Sequence, residues 1–185
     1  CYGSVNPDGT QAAGRGKFYI SDYDDYPTQV LRSGDGALLI AGYSENSSNF
    51  TGAEIFARVN YSATSGTSFD ATFNPGGASP GRLVGTYVTS IHPGSLTFAL
   101  SGNQEIYQTI VTHGPSGGAG PFVPRVIARH SDGSVRATWG GTANAVYDTS
   151  YENILIEDAG KVLLSGRSNY LSTSGIINFG RLQND

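Results

Sequence analysis

Short apolar runs alternate with glycine-containing turns along the whole chain, and part of this pattern is repeated. The run Gly36–Gly42 (GALLIAG) has an echo at Gly160–Gly166 (GKVLLSG), 124 positions later. The turn segments Asn6–Thr10 and His130–Ser134 are separated by the same offset. Two unrelated signals that share one offset indicate an internal repeat, and a repeat decides the fold before any single residue does.

The apolar runs are rich in β-branched and aromatic residues, which predicts strands. Turns such as Asp35-Gly36 and Asp132-Gly133 separate them, because glycine accepts the positive φ of a tight hairpin. The run Leu38–Ile40 is apolar throughout and is therefore predicted to be buried on both faces of its sheet. The predicted strands are 17–22, 28–32, 37–42 and 53–60 in a first unit, 82–88, 96–101, 105–112 and 123–130 in a second, and 143–148, 153–157, 161–166 and 175–182 in a third.

This arrangement predicts an all-β fold of three four-stranded blade-like repeats, which is a partial β-propeller. The chain, 1–185, is interpreted as a single repeat domain with units at 10–66, 67–133, and 134–185 together with 1–9. Propellers close with about four to eight blades, so three blades alone would leave two exposed faces. The sequence therefore predicts self-association, most simply a dimer that completes six blades, or a segment cut from a longer array.

A short motif that ends in arginine recurs in the fourth predicted strand of each unit. It occurs at Phe56–Arg58, Ile127–Arg129 and Phe179–Arg181. Together with the Ala-Gly strands Gly36–Ser44 and Gly160–Ser168, it resembles the Delta-sixty repeat of bacterial secreted β-propellers. Two further segments, Ser68–Phe73 and Arg136–Gly140, are similar to another part of that repeat. The resemblance covers nearly the whole chain except Pro93–Gly102, and it implies a secreted propeller fold but no catalytic residue.

Charge and composition narrow the classes of partner. The net charge is −4, which argues against nucleic acid because no basic face would neutralise phosphates. No apolar run approaches the roughly 20 residues of a membrane-spanning helix. Cys1 is the single cysteine, so an internal disulfide is excluded. It is open whether Cys1 is a cut end, the lipidated first residue of a bacterial lipoprotein, or half of a disulfide to another chain. We expect an extracellular or cell-surface location.

The densest acidic cluster is a candidate metal site. Asp22, Asp24 and Asp25 lie in one predicted loop, and carboxylate oxygens are the ligands that Ca²⁺ prefers. The glycine and the distal glutamate of a full calcium loop are missing, so solvated turn residues are the alternative interpretation. A structural Ca²⁺ is the one cofactor that the sequence suggests.

Aromatic residues near strand ends are candidates for ligand binding. The chain has 11 tyrosines and one tryptophan, and exposed rings of this kind stack on sugars or anchor a protein partner. Packing between neighbouring strands is the alternative for each ring. The predicted binding residues are Tyr43, Tyr107, His113, Trp139 and Tyr170, near loops 44–52, 111–121 and 168–174.

Catalytic motifs are weak. The segment Gly77–Gly81 has the sequence pattern of a nucleophile elbow. It cannot function as one, because Pro80 has no backbone N–H for the oxyanion hole. The sequence therefore favours a non-enzymatic extracellular repeat module that binds a glycan or protein through loops on one rim. The alternatives are a structural subunit that assembles head to tail into a ring or filament, and a carbohydrate-active enzyme.

Overall fold

The described part of the chain consists of β-strands joined by turns and irregular segments, with no helix. The computed structural model describes residues 19–49, 51–62, 66–89, 96–113, 122–140, 149–157, 161–168 and 176–182. These residues form thirteen strands in three antiparallel sheets, none of which closes on itself. Within the same ranges, no helix is long and apolar enough to cross a membrane. The all-β prediction is confirmed.

The first sheet is built around one long strand. Its first three strands follow one another in an antiparallel meander, and three short strands then pair with the third. The strands are β1 (Asp24–Arg32), β2 (Leu38–Asn46), β3 (Thr51–Ser62), β4 (Gly66–Phe69), β5 (Arg82–Val84) and β6 (Val88–Thr89).

The second and third sheets are simpler meanders. The second has the order β10-β9-β8-β7 and the third the order β11-β12-β13. Their strands are β7 (Thr97–Leu100), β8 (Ile106–His113), β9 (Phe122–Arg129), β10 (Val135–Gly140), β11 (Thr149–Ile156), β12 (Val162–Ser168) and β13 (Ile176–Leu182).

The strand count per unit differs from the prediction. Among the described residues the sheets have six, four and three strands, so a uniform four is not observed. The predicted strand 82–88 was assigned to the second unit, which is wrong, because β5 and β6 both pair with β3 of the first sheet. Residues 19–22 are not a strand, and the predicted strand 143–148 lies outside the described residues.

The first and third sheets repeat each other in detail. A bulge interrupts β1 between Pro27 and Gln29, and β11 has one between Tyr151 and Asn153, at the same offset of 124 positions. The arginine motif also recurs in register. Arg58 pairs with Leu39, Arg129 with Ile106 and Arg181 with Leu163, each between the second and third strands of its meander.

The hairpins confirm the predicted Asp-Gly turns. Gly36 and Gly133 have φ of 89° and 87°, and each donates its N–H to the carbonyl three residues earlier, at 2.9 Å. Gln104 has φ of 64° at the corresponding place in the β7–β8 hairpin. Its Oε1 accepts hydrogen bonds from Ser33 Oγ (2.7 Å) and Gly34 N (2.8 Å). This non-glycine turn is therefore tied to the hairpin of the first sheet.

Hydrophobic clusters stack the sheets in chain order. Phe56 of β3 meets Phe98 of β7 edge to face, with ring centroids 4.9 Å apart, in a cluster between the first and second sheets. A second cluster joins Tyr107 and Val126 of the second sheet to Leu164 of the third. The second sheet is consequently buried on both faces.

The predicted burial of the GALLIAG run is confirmed. Leu39 is 3% exposed and packs toward the second sheet. Its neighbour Ile40 is 8% exposed and packs on the opposite face with Ile20, Ile55 and Ala57. Successive side chains of a strand point to opposite faces, so an uninterrupted apolar run needs cover on both.

A buried ion pair links the first two sheets. Arg129 of β9 is 5% exposed, and its Nη2 lies 3.3 Å from Glu54 Oε1 on β3. Arg129 also donates to Gln108 Oε1 (3.3 Å) and to the Gly133 carbonyl (3.2 Å), and its guanidinium lies 5.5 Å from the Phe56 ring centre. Burial lowers the pKa of Arg129, and the Glu54 carboxylate opposes that shift. Arg129 therefore satisfies polar groups from both sheets.

Candidate ligand-binding cleft

An open cleft of about 250 Å³ lies between the segment before β1 and the loop that follows β4. Its walls combine aromatic rings, one guanidinium, one carboxylate and small polar groups. Pockets that enclose drug-sized ligands measure roughly 300–1,000 Å³. This cleft therefore matches a smaller ligand, or one unit of a longer one. The lining residues that matter below are Ser21, Asp22, Tyr23, Asn74, Arg82 and Tyr87.

Two tyrosines form the aromatic wall. The rings of Tyr23 and Tyr87 are 5.0 Å apart at an interplanar angle of 77°, which is the edge-to-face geometry that aromatic quadrupoles favour. The Tyr87 hydroxyl donates a hydrogen bond to Ser44 Oγ at 2.8 Å, and Ser44 is fully buried. Tyr23 is 45% exposed. The wall thus offers one accessible ring that is held by a second, anchored ring.

The segment before β1 is fixed by a carboxylate. Asp25 Oδ2 accepts hydrogen bonds from the backbone N–H groups of Ile20 (2.6 Å) and Ser21 (3.2 Å), and Oδ1 accepts from Ser21 Oγ (2.6 Å). The Ile20 side chain is buried in the outer cluster of the first sheet. This side of the cleft is therefore preformed rather than a loose loop.

Arg82, at the start of β5, supplies the cation of the cleft. Its guanidinium carbon lies 5.0 Å from the centre of the Phe69 ring, and Nη1 donates to the Tyr19 carbonyl at 3.0 Å. Asn74, with φ of 49°, donates from Nδ2 to the Arg82 carbonyl at 2.7 Å. Among the described residues, the buried Nε of Arg82 has no hydrogen-bond partner. The guanidinium is thus held by Phe69 and the Tyr19 carbonyl, while Asn74 fixes the backbone of Arg82.

Two of the predicted binding residues, Tyr43 and Tyr107, do not line this cleft. Tyr43 is half-buried and stacks on Tyr26, with ring centroids 4.8 Å apart and an interplanar angle of 11°. Burial raises the pKa of the Tyr43 hydroxyl, and the nearby Glu45 and Tyr26 raise it further. Tyr107 is fully buried, and its hydroxyl donates to Glu105 Oε2 at 3.1 Å. The prediction that Tyr107 is an exposed binding ring is wrong, because its side chain packs between the second and third sheets.

Three other predicted residues are placed only in part. His113 ends β8 opposite Phe122, and Trp139 lies in β10 opposite Val126. The side chains of both residues, and the whole of Tyr170, lie outside the described part of the structure. A binding role for these three residues stays a prediction.

The carboxylates of Asp22, Asp24 and Asp25 do not converge on one point. Adjacent strand residues point to opposite faces, so Asp24 and Asp25 at the start of β1 diverge. The Asp25 carboxylate accepts hydrogen bonds from the segment before β1, whereas Asp22 lines the cleft. Within the described ranges, no group of three or more His, Cys, Asp or Glu side chains is placed to hold a metal ion. The geometry thus gives the proposed calcium site no support.

The cleft was only partly visible in the sequence. Tyr23 and Tyr87 belong to the set of tyrosines near strand ends, but nothing singled out Arg82 or Asn74. The available signal was the long irregular segment between β4 and β5, which contains the false nucleophile elbow. Ser79 of that elbow lies in a turn, where its carbonyl accepts a hydrogen bond from Arg82 N at 3.1 Å.

No protein-family model matches the chain, and no curated protein matches it.

Proposed function

We propose that the chain is a non-enzymatic binding module of an extracellular β-propeller-like protein, and that the cleft binds a sugar unit of a glycan. The observation that carries this proposal is the edge-to-face pair of Tyr23 and Tyr87 in the same small cleft as Arg82. A sugar ring has an apolar C–H face and a polar edge of hydroxyls. It therefore needs a flat ring and several hydrogen-bonding groups within a small volume.

The composition of the lining agrees with this ligand class. Tyr23 supplies an accessible ring. Arg82 and Asn74 supply donors, and the Asp22 carboxylate supplies acceptors. The mixture of one cation with one carboxylate favours a polar ligand without large net charge.

Propeller-like organisation is the architectural part of the proposal. Three consecutive sheets stack face to face, and two of them share a bulge position and a strand register. We interpret each sheet as one blade of unequal strand number. Both the face-to-face stacking and the resemblance to the Delta-sixty repeat favour this interpretation.

Binding is favoured over hydrolysis by the number of carboxylates. Glycoside hydrolases use two, separated by about 5–9.5 Å. Asp22 is the single carboxylate among the described residues that line the cleft. A carbohydrate-active enzyme is therefore the weaker proposal.

A glycan array, followed by calorimetry with the best ligand, tests the proposed function. Tyr23→Ala and Arg82→Ala are each expected to weaken binding at least about tenfold, which corresponds to about 1.4 kcal/mol. The matched control is Tyr19→Ala, because Tyr19 is 66% exposed and its ring is not part of the lining. Its affinity should equal that of the wild type. An array without binders, or equal affinities for all four proteins, would reject the proposal.

A further inference from the structure

A single buried hydroxyl group joins two separate parts of the cleft lining. Ser44 lies on β2, is fully buried and does not line the cleft, so it cannot touch a ligand there. Its Oγ accepts a hydrogen bond from the Tyr87 hydroxyl at 2.8 Å and lies 2.6 Å from Ser21 Oγ. Tyr87 follows β5 and Ser21 precedes β1, so Ser44 connects two lining segments that are distant in the sequence.

The direction of each hydrogen bond follows from the carboxylate at one end. Asp25 Oδ1 lies 2.6 Å from Ser21 Oγ, and a carboxylate oxygen only accepts. Ser21 therefore donates its one hydroxyl proton to Asp25, so Ser44 must be the donor in the bond between the two serines. The Ser44 oxygen in turn accepts from Tyr87. The result is one continuous chain of hydrogen bonds from Tyr87 through Ser44 and Ser21 to Asp25.

This chain fixes both tyrosines of the aromatic wall. Ser21 Oγ also accepts a hydrogen bond from the Tyr23 backbone N–H at 3.0 Å. It thus donates once and accepts twice, which is the full capacity of a hydroxyl group. Hydrogen bonds in such a chain polarise and strengthen one another, so the loss of one link weakens the others. The Tyr87 ring is therefore held through its own hydroxyl, and the backbone of Tyr23 is held through Ser21.

The third sheet repeats the serine but not the carboxylate. Ser168 lies 124 positions after Ser44, and the same offset places Thr149 at the position of Asp25. The two pairs occupy the same register, since Asp25 lies opposite Ser44 and Thr149 lies opposite Ser168. A threonine cannot end a chain of donors as a carboxylate does, because its hydroxyl carries a proton of its own. The complete chain is thus a property of the first sheet, where the cleft lies, and not a requirement of the repeated strand pair.

We infer that Ser44 is a positioning residue of the cleft, which holds the rings of Tyr23 and Tyr87 in the geometry that a sugar ring meets. The inference rests on the proposed function for the class of ligand, but the ring geometry can be measured without a ligand. Removing the Ser44 hydroxyl leaves Tyr87 without its acceptor and Ser21 without one of its donors. A ligand would then have to order both tyrosines as it binds, which lowers its affinity.

Ser44→Ala, compared with Ser33→Ala, tests this inference in the free protein. Ser33 is also buried, and its hydroxyl donates to Gln104 Oε1 at 2.7 Å, in the hairpin at the other end of β2. Nuclear Overhauser effects between the rings of Tyr23 and Tyr87, whose centroids are 5.0 Å apart, should appear in the wild type and in Ser33→Ala. They should be lost in Ser44→Ala. Ring contacts that persist in Ser44→Ala, or that are lost equally in Ser33→Ala, would overturn the inference.

Tyr87→Phe provides a second variant, because it removes the same hydrogen bond from the other partner and keeps the ring. Calorimetry with the methyl glycosides of D-glucose, D-galactose, D-mannose and N-acetyl-D-glucosamine measures the effect on binding. For each sugar that the wild type binds, Ser44→Ala and Tyr87→Phe should each weaken the affinity at least about fivefold, and Ser33→Ala should leave it unchanged. Circular dichroism checks that each variant keeps its β-structure.

The double variant Ser44→Ala/Tyr87→Phe shows whether the two residues act as a unit. Its affinity should be no weaker than that of the weaker single variant, because both partners of the hydrogen bond are then removed. Losses that add up in the double variant would show independent roles and overturn the inference. A wild type that binds none of the four sugars contradicts the proposed function, and the ring contacts alone then decide the role of Ser44.

Discussion

Replacing Arg129 with alanine is expected to lower the free energy of unfolding by about 3–5 kcal/mol, because it breaks a buried ion pair and leaves one charge behind. The Glu54 carboxylate is 12% exposed and lies 3.3 Å from the guanidinium. Without Arg129 it would remain between two sheets with no cation, and Gln108 and the Gly133 carbonyl would each lose a donor. The loss should appear in urea unfolding as a lower midpoint with an unchanged slope.

A second ion pair supplies the control for this prediction. Arg136 pairs with Glu105 at 3.4 Å, but both side chains are more exposed, at 29% and 22%. Arg136→Ala should therefore cost only about 1 kcal/mol, as solvent-screened pairs do. The double variant Glu54→Ala/Arg129→Ala should lose less stability than the sum of the two single variants, because the orphaned charge is gone. Equal losses for Arg129→Ala and Arg136→Ala would contradict the proposed link between the sheets.

Phe98→Ala is the second variant with a large expected effect, again about 3–5 kcal/mol. Phe98 is 2% exposed on β7, and its ring meets Phe56 of the first sheet at 4.9 Å. Removing the ring leaves a cavity in the cluster between the two sheets. The free energy of unfolding from chemical denaturation measures the loss.

Two comparisons make the Phe98 prediction specific. Val135→Ala, at an exposed position, should change stability by no more than about 0.5 kcal/mol. A double-mutant cycle with Phe56→Ala should give a coupling energy of about 0.5–1.5 kcal/mol, the range found for edge-to-face rings. A Phe98→Ala loss below about 1 kcal/mol would show that the two sheets do not share this core.

The sequence predicted local features well because they have local causes. The Asp-Gly turns at Gly36 and Gly133 require a positive φ, and the structure has it at both positions. The run Leu38–Ile40 needed cover on both faces and has it. The arginine motifs occupy the same strand and register in each sheet, as a repeat demands.

Features that depend on distant contacts were not predictable in the same way. The strand Arg82–Val84 looks like any other apolar run, and only the free edge of β3 decides that it joins the first sheet. Tyrosine is a residue type that is common in binding sites, but the third sheet covers the side chain of Tyr107. The cleft arises where an irregular loop meets the segment before β1, which no periodic pattern describes.

The calcium candidate shows how the boundary of a strand affects the chemistry assigned to it. Asp24 and Asp25 lie in a strand, where neighbouring side chains point to opposite faces, so adjacent carboxylates are poor candidates for one shared ion. A strand assignment that began at Asp24 rather than at Thr28 would have separated them. The boundary of one element therefore decided the chemistry assigned to it.

Consecutive sheets pack face to face, and repeated positions form the contacts between them. Nuclear Overhauser effects test it most directly. The account predicts contacts between the ring protons of Phe56 and Phe98, whose centroids are 4.9 Å apart. It also predicts contacts between the Gln29 side-chain amide and the Phe98 backbone, joined by two hydrogen bonds of 3.0 Å. Absence of both sets, with a Phe98 N–H that exchanges freely with solvent, would contradict the stacked arrangement.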